Sequence, residues 1–212
     1  MKKVLPLLLA VVMVISLAAC NTGDAQNNND STTVGNDGGT QNNNDSTTVG
    51  NDGDHIDLPE SALALLETAW ATHNEEEKLY FMGGDLDSNV SGAPGAAADM
   101  DFINYTLLLP SQLNDKIDQA ASLMHAMNAN NLTCAAYHLT DGTDIDSFVT
   151  AVQENIQNNP WMCGFPEELV IYTLGGEYVV VMFGKADITA PFRQELVTAF
   201  PELKLAVEEA IA

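Results

Sequence analysis

The chain has 212 residues, and its 30 acidic residues outnumber 7 lysines and arginines, which gives a formal net charge of −23 at pH 7. This excess of negative charge repels nucleic-acid phosphates and anionic lipid headgroups, so it excludes nucleic acid as a partner and a basic patch as the means of membrane attachment. Three cysteines and four histidines occur, and none forms a short-spaced pair, such as Cys-x-x-Cys, that is typical of zinc sites.

The first 20 residues, MKKVLPLLLAVVMVISLAAC, have the pattern of a secretory signal peptide. Two lysines precede an apolar run from Val4 to Ala19, which ends in small residues before Cys20 and is shorter than the ~20 residues of a membrane-spanning helix. LAAC at 17–20 resembles the lipobox of bacterial lipoproteins, which implies that Cys20 becomes the mature N-terminus and carries lipid, such as palmitate. We therefore predict a cell-membrane lipoprotein that is anchored in the bilayer through acylated Cys20 and faces the extracytoplasmic side.

Residues 21–55 are predicted to form a disordered tether. The segment is rich in Asn, Asp, Gly, Ser and Thr, and it contains QNNNDSTTVGNDG twice, at 26–38 and at 41–53. Such a segment buries too little apolar surface to offset the entropy lost on ordering. The repeat also lacks the alternating ligands and the final Glu of a calcium loop. A flexible chain of this length has a root-mean-square reach of roughly 30–35 Å, enough to hold a folded domain clear of the lipid headgroups.

Residues 56–212 are predicted to form a single α+β domain. The first helix is expected to begin at Pro59, a residue favoured in the first turn, and to bury Leu63, Leu66 and Trp70 before it ends near His73. The stretch at 83–101 is rich in turn residues and predicts a long loop. FINYTLLLP, which follows, is compatible with a short strand or with the start of a helix.

The middle of the domain contains a hairpin and a helix. Two apolar runs flank the sequence NANN and indicate strands near 120–126 and 132–139. The next apolar residues follow Ile145 at offsets of 3, 4, 7 and 11 residues, which is the pattern of an amphipathic helix. Thr143 or Asp144 is expected to be its N-cap.

A second hairpin and two helices complete the chain. Gly175-Gly176 joins two runs of β-branched and aromatic residues and accepts the positive φ of a tight turn. The apolar positions assigned to the helices are Phe192, Leu196 and Phe200, and then Leu203, Val207 and Ile211 after Pro201. This order predicts an α+β fold in which a small antiparallel sheet, built from the two hairpins, carries helices packed on one face.

The stretches AASLMHAMNANNLTCAAYHLTDGTDIDSFVTAVQENIQNN and VIYTLGGEYVVVMFG resemble the domain of unknown function 4358 family, which occurs in small bacterial surface lipoproteins. The resemblance covers about residues 100–200 and depends on the order of elements and on the Gly-Glu-Tyr-Val pattern of the last hairpin. It implies the same architecture, in which a signal peptide and a polar linker precede an α+β domain, and it implies no established activity. The chain departs from the family in lacking lysines at the end of the second strand.

The acidic residues of the 83–101 stretch form a candidate calcium site. Asp85, Asp87 and Asn89 match the opening of a calcium-binding loop. Val90 stands where the sharp turn of that loop requires Gly, and Ala96 stands where a bidentate Glu is required. A solvated acidic loop is therefore the preferred interpretation.

Histidines and cysteines provide a second candidate site and a candidate disulfide. His125 and His138 are expected on the two strands of the first hairpin, where they would face each other near Cys134. Because these residues are scattered, we predict no metal and no cofactor. Once Cys20 is acylated, Cys134 and Cys163 can form a disulfide or remain as two free thiols.

Trp161, Met162 and Phe165 follow the amphipathic helix in NPWMCGFPEE. They either close the core or form an exposed apolar surface where a partner docks. Trp and Met are enriched at interfaces, and the flanking Pro and Gly place them on a loop. This segment is therefore the candidate partner surface.

The sequence contains no recognisable catalytic constellation, since it lacks a G-x-S-x-G elbow and a plausible triad. We expect no enzyme activity and predict a non-catalytic interaction or binding domain, held off the membrane by the tether, whose partner is an unknown protein or small molecule. The first alternative is a small-ligand or cation-binding lipoprotein associated with transport. The second is an envelope hydrolase whose catalytic residues are dispersed along the chain.

Overall fold

A computed structural model describes residues 57–211. The predicted signal peptide, the lipidation site Cys20 and the predicted tether at 21–55 lie outside the described residues. Within the described part the chain has an α+β architecture, with an antiparallel sheet of eight strands and several helices. No helix within 57–211 is long and apolar enough to cross a membrane.

The sheet extends well beyond the two hairpins that the sequence predicts. The described elements, in chain order, are α1 (Ala62–Trp70), α2 (Glu75–Lys78), β1 (Phe81–Gly83), β2 (Val90–Ser91), β3 (Gly95–Ala96), α3 (Met100–Tyr105), a 3-10 helix (Ser111–Lys116), β4 (Ile117–His125), a second 3-10 helix (Ala129–Asn131), β5 (Leu132–Leu139), α4 (Ile145–Gln157), β6 (Glu168–Leu174), β7 (Tyr178–Gly184), α5 (Ala186–Ala199) and β8 (Lys204–Ala210). The strands pair in the order β2-β1-β4-β5-β7-β6-β8, and β3 also pairs with β4. The long strands β4 to β7 occupy the centre, and shorter or more exposed strands flank them.

Helices cover both faces of the sheet, so the prediction of helices on one face is wrong. On one face α1 and α5 pack through residues such as Leu66 and Leu196. On the other face α3 and α4 pack through residues such as Phe102 and Phe148. The physical reason lies in β6 and β7, whose apolar runs are nearly continuous. Because successive side chains point to opposite faces of a strand, such runs require a cover on both sides.

The last element is a strand, and the helix predicted after Pro201 is wrong. Lys204–Ala210 form β8, which pairs antiparallel with β6 and places Val207 opposite Ile171. The predicted apolar positions, 203, 207 and 211, are spaced by four residues. An even spacing also fits one face of a strand, and Val207 and Ile211 do pack on the same face, whereas Leu203 precedes β8 and packs in the core on the other face. Pairing with β6 favours the strand, because without β8 the outer edge of β6 would leave backbone hydrogen-bonding groups unsatisfied.

Capping determines where two of the helices begin. α1 begins at Ala62 rather than at Pro59, because the Ser61 hydroxyl accepts a hydrogen bond from the first turn of the helix. Asp144, one of the two predicted caps of α4, accepts a hydrogen bond from the backbone N of Ser147 at 2.7 Å. The predicted positions of α4 and of the β4–β5 hairpin are confirmed.

The chain enters the domain against the turn of the β6–β7 hairpin. Gly175 and Gly176 form this turn with φ of 61° and 80°, as the sequence predicts. Leu58 packs so closely on the turn that a Cβ atom on Gly175 would lie 2.4 Å from Leu58 Cδ2. Tyr178 Oη donates to the carbonyl oxygen of Pro59 at 2.7 Å. The entering segment is thus attached to a central hairpin of the sheet.

Candidate functional site

The segment between α4 and β6, residues 158–167, is called the Trp161 loop. It contains the three residues of the predicted partner surface, but it places them in different environments. The Trp161 ring is partly buried and packs on Phe183, with ring centroids 5.3 Å apart. Met162 and Phe165 are 79% and 64% exposed. Trp161 therefore closes the core, whereas Met162 and Phe165 lie on the outer side of the same loop.

Side-chain amides of the NANN turn hold the backbone of the Trp161 loop. Asn130 Nδ2 donates to the carbonyl oxygens of Met162 and Gly164 at 3.0 and 3.1 Å. Asn128 Nδ2 donates to the carbonyl oxygen of Cys163 at 3.2 Å. Cys163 has φ of 62°, a conformation that is unfavourable for a side chain with a Cβ atom, and these hydrogen bonds help to offset its cost. The loop is held without help from its exposed apolar side chains.

A groove of about 240 Å³ lies beside the Trp161 loop. Its lining includes Tyr105, Pro160, Trp161 and Met162, and Tyr105 is 80% exposed. Trp161 Nε1 is buried without a hydrogen-bond partner. Exposed Met and Tyr side chains beside a groove have the composition of a protein interface.

Cys134 and Cys163 are both free thiols, so the disulfide considered from the sequence is absent from this structure. Cys134 lies in β5 and is fully buried in the core beneath α1 and α5. Burial raises the pKa of its thiol well above the ordinary range. Cys163 is exposed on the Trp161 loop. The fold thus places the two thiols in separate environments.

The two histidines of the first hairpin do not face each other. His125 lies opposite Phe81 of β1, and His138 lies opposite Gln119 near the other end of the hairpin. His138 Nδ1 is 2.5 Å from Asp118 Oδ1. Within the part of the chain that the structure describes, no group of three or more His, Cys, Asp or Glu residues is arranged to hold a metal ion.

Asp85 is buried rather than solvated, which corrects the interpretation of the acidic loop. It is 6% exposed and organises residues 84–99, called the Asp85 loop. Its carboxylate accepts hydrogen bonds from Ser88 N and Oγ at 2.9 and 2.6 Å, and from the backbone N of Ala98 and Asp99 at 3.0 and 3.1 Å. The bonds from the Ser88 hydroxyl and from Ala98 N hold the pKa of Asp85 well below its ordinary range, against the opposing effect of burial. Four donors from the protein itself indicate a structural role for this carboxylate.

The stretch at 83–101, predicted as a long loop, is partly regular. It contains β2 and β3, and α3 begins at Met100. FINYTLLLP is therefore helical at its start. The short strands place the Asp85 loop on the edge of the sheet, where β3 pairs with β4.

His73 forms a buried pair with a carboxylate that the sequence patterns do not predict. The residue is 4% exposed, and its Nδ1 lies 2.9 Å from Glu195 Oε1 on α5. Its ring stacks on Trp70 with centroids 3.9 Å apart. Burial raises the pKa of Glu195, and the nearby His73 ring opposes that shift. Nε2 of His73 is buried and has no hydrogen-bond partner.

A cleft of about 200 Å³ opens beside this pair and is called the His73 cleft. Besides His73, its lining includes Glu77 on α2, Tyr80, Phe81 on β1 and His125 at the end of β4. The Phe81 ring lies edge-on to both imidazoles, with centroids 5.6 Å from His73 and 5.6 Å from His125. The cleft thus combines aromatic walls with a buried, unpaired ring nitrogen.

One local signal could have drawn attention to His73. Trp70 and His73 are three residues apart, the spacing at which two side chains share one side of a helix, although α1 ends at Trp70 and His73 follows it. His73 and Glu195, however, are separated by 122 residues, and no local pattern connects them. The pair forms only because α1 and α5 pack side by side on the sheet.

Comparison of the chain with protein-family models, with characterised proteins and with solved structures gives no match in any of the three. The resemblance of residues 100–200 to the domain of unknown function 4358 family stays a prediction. A function for this chain is therefore inferred from the geometry of the Trp161 loop and the His73 cleft.

Proposed function

We propose that this protein is a lipoprotein that is anchored through acylated Cys20 on the extracytoplasmic side of the cell membrane, and that it binds another protein without catalysis of its own. The docking surface in this proposal is the Trp161 loop with its groove. The observation that supports it is the exposure of Met162 and Phe165, 79% and 64%, on a loop that Asn128 and Asn130 hold in place.

Two physical arguments connect that observation with binding. Burial of apolar surface is favourable by roughly 25 cal/mol per Å², so a partner that covers Met162 and Phe165 gains free energy from both. A loop that hydrogen bonds already fix has less conformational freedom to lose on association. Exposed apolar side chains on a preformed loop therefore favour docking over a purely structural role.

The charge of the chain indicates the chemistry of the partner. The protein carries a formal net charge of −23, which accelerates encounter with a positively charged surface. We expect a protein with an apolar pocket that receives Met162 and Phe165, surrounded by lysine and arginine side chains. Residues 21–55, with a reach of roughly 30–35 Å when flexible, would let the domain search for this partner above the membrane.

Site-specific photocrosslinking in the producing bacterium tests the docking surface. A photoreactive phenylalanine analogue in place of Phe165 is expected to give a discrete crosslinked product. The matched control carries the analogue in place of Leu86, which is 76% exposed in the Asp85 loop, and should not give that product. Met162→Ser should reduce the yield at Phe165 at least fivefold.

The crosslinked partner, once identified by mass spectrometry, allows a decisive binding measurement. The purified partner should bind the wild-type protein, and Phe165→Ser should weaken the affinity by about tenfold, as expected for an apolar anchor residue. A partner that binds the Phe165→Ser variant as tightly as wild type contradicts the proposed surface.

The anchor is tested separately. Mass spectrometry of the protein from the membrane fraction should find a mature N-terminus at Cys20 that carries acyl chains, and Cys20→Ser should prevent this modification. An unmodified, intact N-terminus would contradict the anchor and would leave the proposal for the Trp161 loop to its own test.

A further inference from the structure

We propose that the His73 cleft binds a small organic cation, namely an ammonium group attached to a short apolar body. The cleft lies beside α2, α5 and β1, apart from the Trp161 loop, and the inference does not depend on the protein partner proposed above. It depends on the hydrogen-bonding state of His73, the charge of the groups around the cleft and the nature of its walls.

The buried imidazole presents a ring nitrogen that the protein leaves unpaired. Both oxygens of Glu195 lie near His73 Nδ1, at 2.9 and 3.1 Å. An ionised carboxylate only accepts hydrogen bonds, so Nδ1 carries a proton, and in the proposed complex the ring is neutral and the lone pair of Nε2 accepts a hydrogen bond. Nε2 is buried without a hydrogen-bond partner, although most buried polar atoms in proteins are paired. A ligand that donates an N–H to this atom satisfies it.

Two carboxylates line the cleft together with His73. Glu77 Oε2 lies 3.7 Å from His73 Nε2, beyond hydrogen-bond distance, and the exposed Asp187 of α5 lines the cleft as well. Glu77 is exposed on α2, so its side chain can turn aside and admit a donor group to Nε2. A cationic N–H donor satisfies Nε2 and is attracted to both carboxylates, whereas an anion is repelled by both.

The walls of the cleft suit an apolar body attached to the ammonium group. Tyr80 and Phe81 offer aromatic surfaces, which attract cations through the negative potential over their faces. Ile188 and Pro191 of α5 add aliphatic lining. The cleft volume of about 200 Å³ lies below the ~300 Å³ at which sites for drug-sized ligands begin. The ligand is accordingly small, with one cationic head.

Isothermal titration calorimetry of the full-length protein with three probes of one shape tests the proposal. Benzylamine is cationic at pH 7, benzyl alcohol is neutral and benzoate is anionic. We expect saturable binding of benzylamine, at least tenfold weaker binding of benzyl alcohol and no binding of benzoate. Equal or stronger binding of benzoate would mean that Nε2 acts as a donor, and it would overturn the proposal, as would failure of benzylamine to bind.

Two charge-neutralising variants locate the site. Glu77→Gln should weaken benzylamine binding about fivefold or more, as expected for removal of one charge near the ammonium group. Glu76→Gln removes the same charge from the same helix at an exposed position that does not line the cleft, and it should leave the affinity unchanged. If both variants weaken binding equally, the effect arises from net charge alone and the site is refuted. Binding of benzylamine that survives Asp187→Asn and Glu77→Gln together would refute it as well.

Discussion

The Asp85 loop and the Trp161 loop are both turn-rich connections of one domain, but hydrogen bonds of different origin fix their conformations. The Asp85 loop is held from inside, by a buried carboxylate that accepts four hydrogen bonds from its own segment. The Trp161 loop is held from outside, by the amides of Asn128 and Asn130 on a neighbouring turn, while its side chains Met162 and Phe165 remain exposed.

This difference shows which arrangement leaves the side chains of a loop available for binding. A loop organised around a buried charge uses its polar groups for its own conformation, and loss of that charge leaves several backbone donors unpaired. A loop whose carbonyl oxygens are held by neighbouring side chains keeps its own side chains free. The first arrangement contributes to stability, and the second allows side chains to be chosen for contact with a partner.

Removal of the internal carboxylate should have the largest effect. Asp85→Ala leaves the backbone N–H groups of Ser88, Ala98 and Asp99 without their acceptor, and we expect a loss of about 3 kcal/mol in the free energy of unfolding. Urea denaturation followed by circular dichroism measures this. Asp87→Ala, at an exposed position of the same loop, is the matched control and should change stability by less than ~0.5 kcal/mol. Equal effects of the two variants would contradict the structural role of Asp85.

Acid should weaken the Asp85 loop selectively. Because the pKa of Asp85 is lowered in the folded protein, the unfolded state binds more protons below the ordinary aspartate pKa of about 3.9. The stability that Asp85 contributes is therefore fully present above that value and is lost as the pH falls further. We expect the free energy of unfolding to decline below about pH 4, and to decline less steeply in Asp85→Asn. Parallel declines in the two proteins would show that other carboxylates account for the acid sensitivity.

Loss of an external amide should have a moderate and local effect. Asn130→Ala removes two hydrogen bonds to the Trp161 loop, and we expect a loss of about 1 kcal/mol in the free energy of unfolding. Amide hydrogen exchange within 158–167 should become faster while exchange in the sheet stays unchanged. Asn89→Ala, in the Asp85 loop, is the comparison variant and should not alter exchange in the Trp161 loop. Unchanged exchange in Asn130→Ala would contradict the external support of this loop.

Truncation of the exposed apolar side chains should have the smallest effect on stability. Because Met162 and Phe165 are largely exposed, the double variant Met162→Ser and Phe165→Ser should change the free energy of unfolding by less than ~0.5 kcal/mol. Thermal denaturation and the affinity for the crosslinked partner are measured on the same protein. A loss of stability above ~1 kcal/mol would show that these side chains belong to the core.

The sequence predicts an element of this domain where the spacing of its apolar residues fits only a helix or only a strand. The apolar residues of α4 follow a helical spacing that no strand accommodates, and both hairpins have clear turn signals, so their positions are predictable. The spacing of four between Val207 and Ile211 fits both structures, and pairing with β6 makes 204–210 a strand. His73 and Glu195 meet through packing of α1 against α5, which local patterns do not encode. The proposed partner surface lies between these cases, because the sequence singles out the segment at 161–165 but does not distinguish partly buried Trp161 from exposed Met162 and Phe165.

The attachment of Leu58 and Pro59 to the β6–β7 hairpin has a mechanical consequence. Tension applied through the chain before residue 57 reaches the contact of Leu58 with Gly175 and the hydrogen bond between Tyr178 and Pro59, while the covalent chain continues into α1. Both contacts connect the entering segment to the β6–β7 hairpin, in which β7 is paired on both sides. In the anchored protein that we propose, these contacts would strengthen the domain against tension from its N-terminal side.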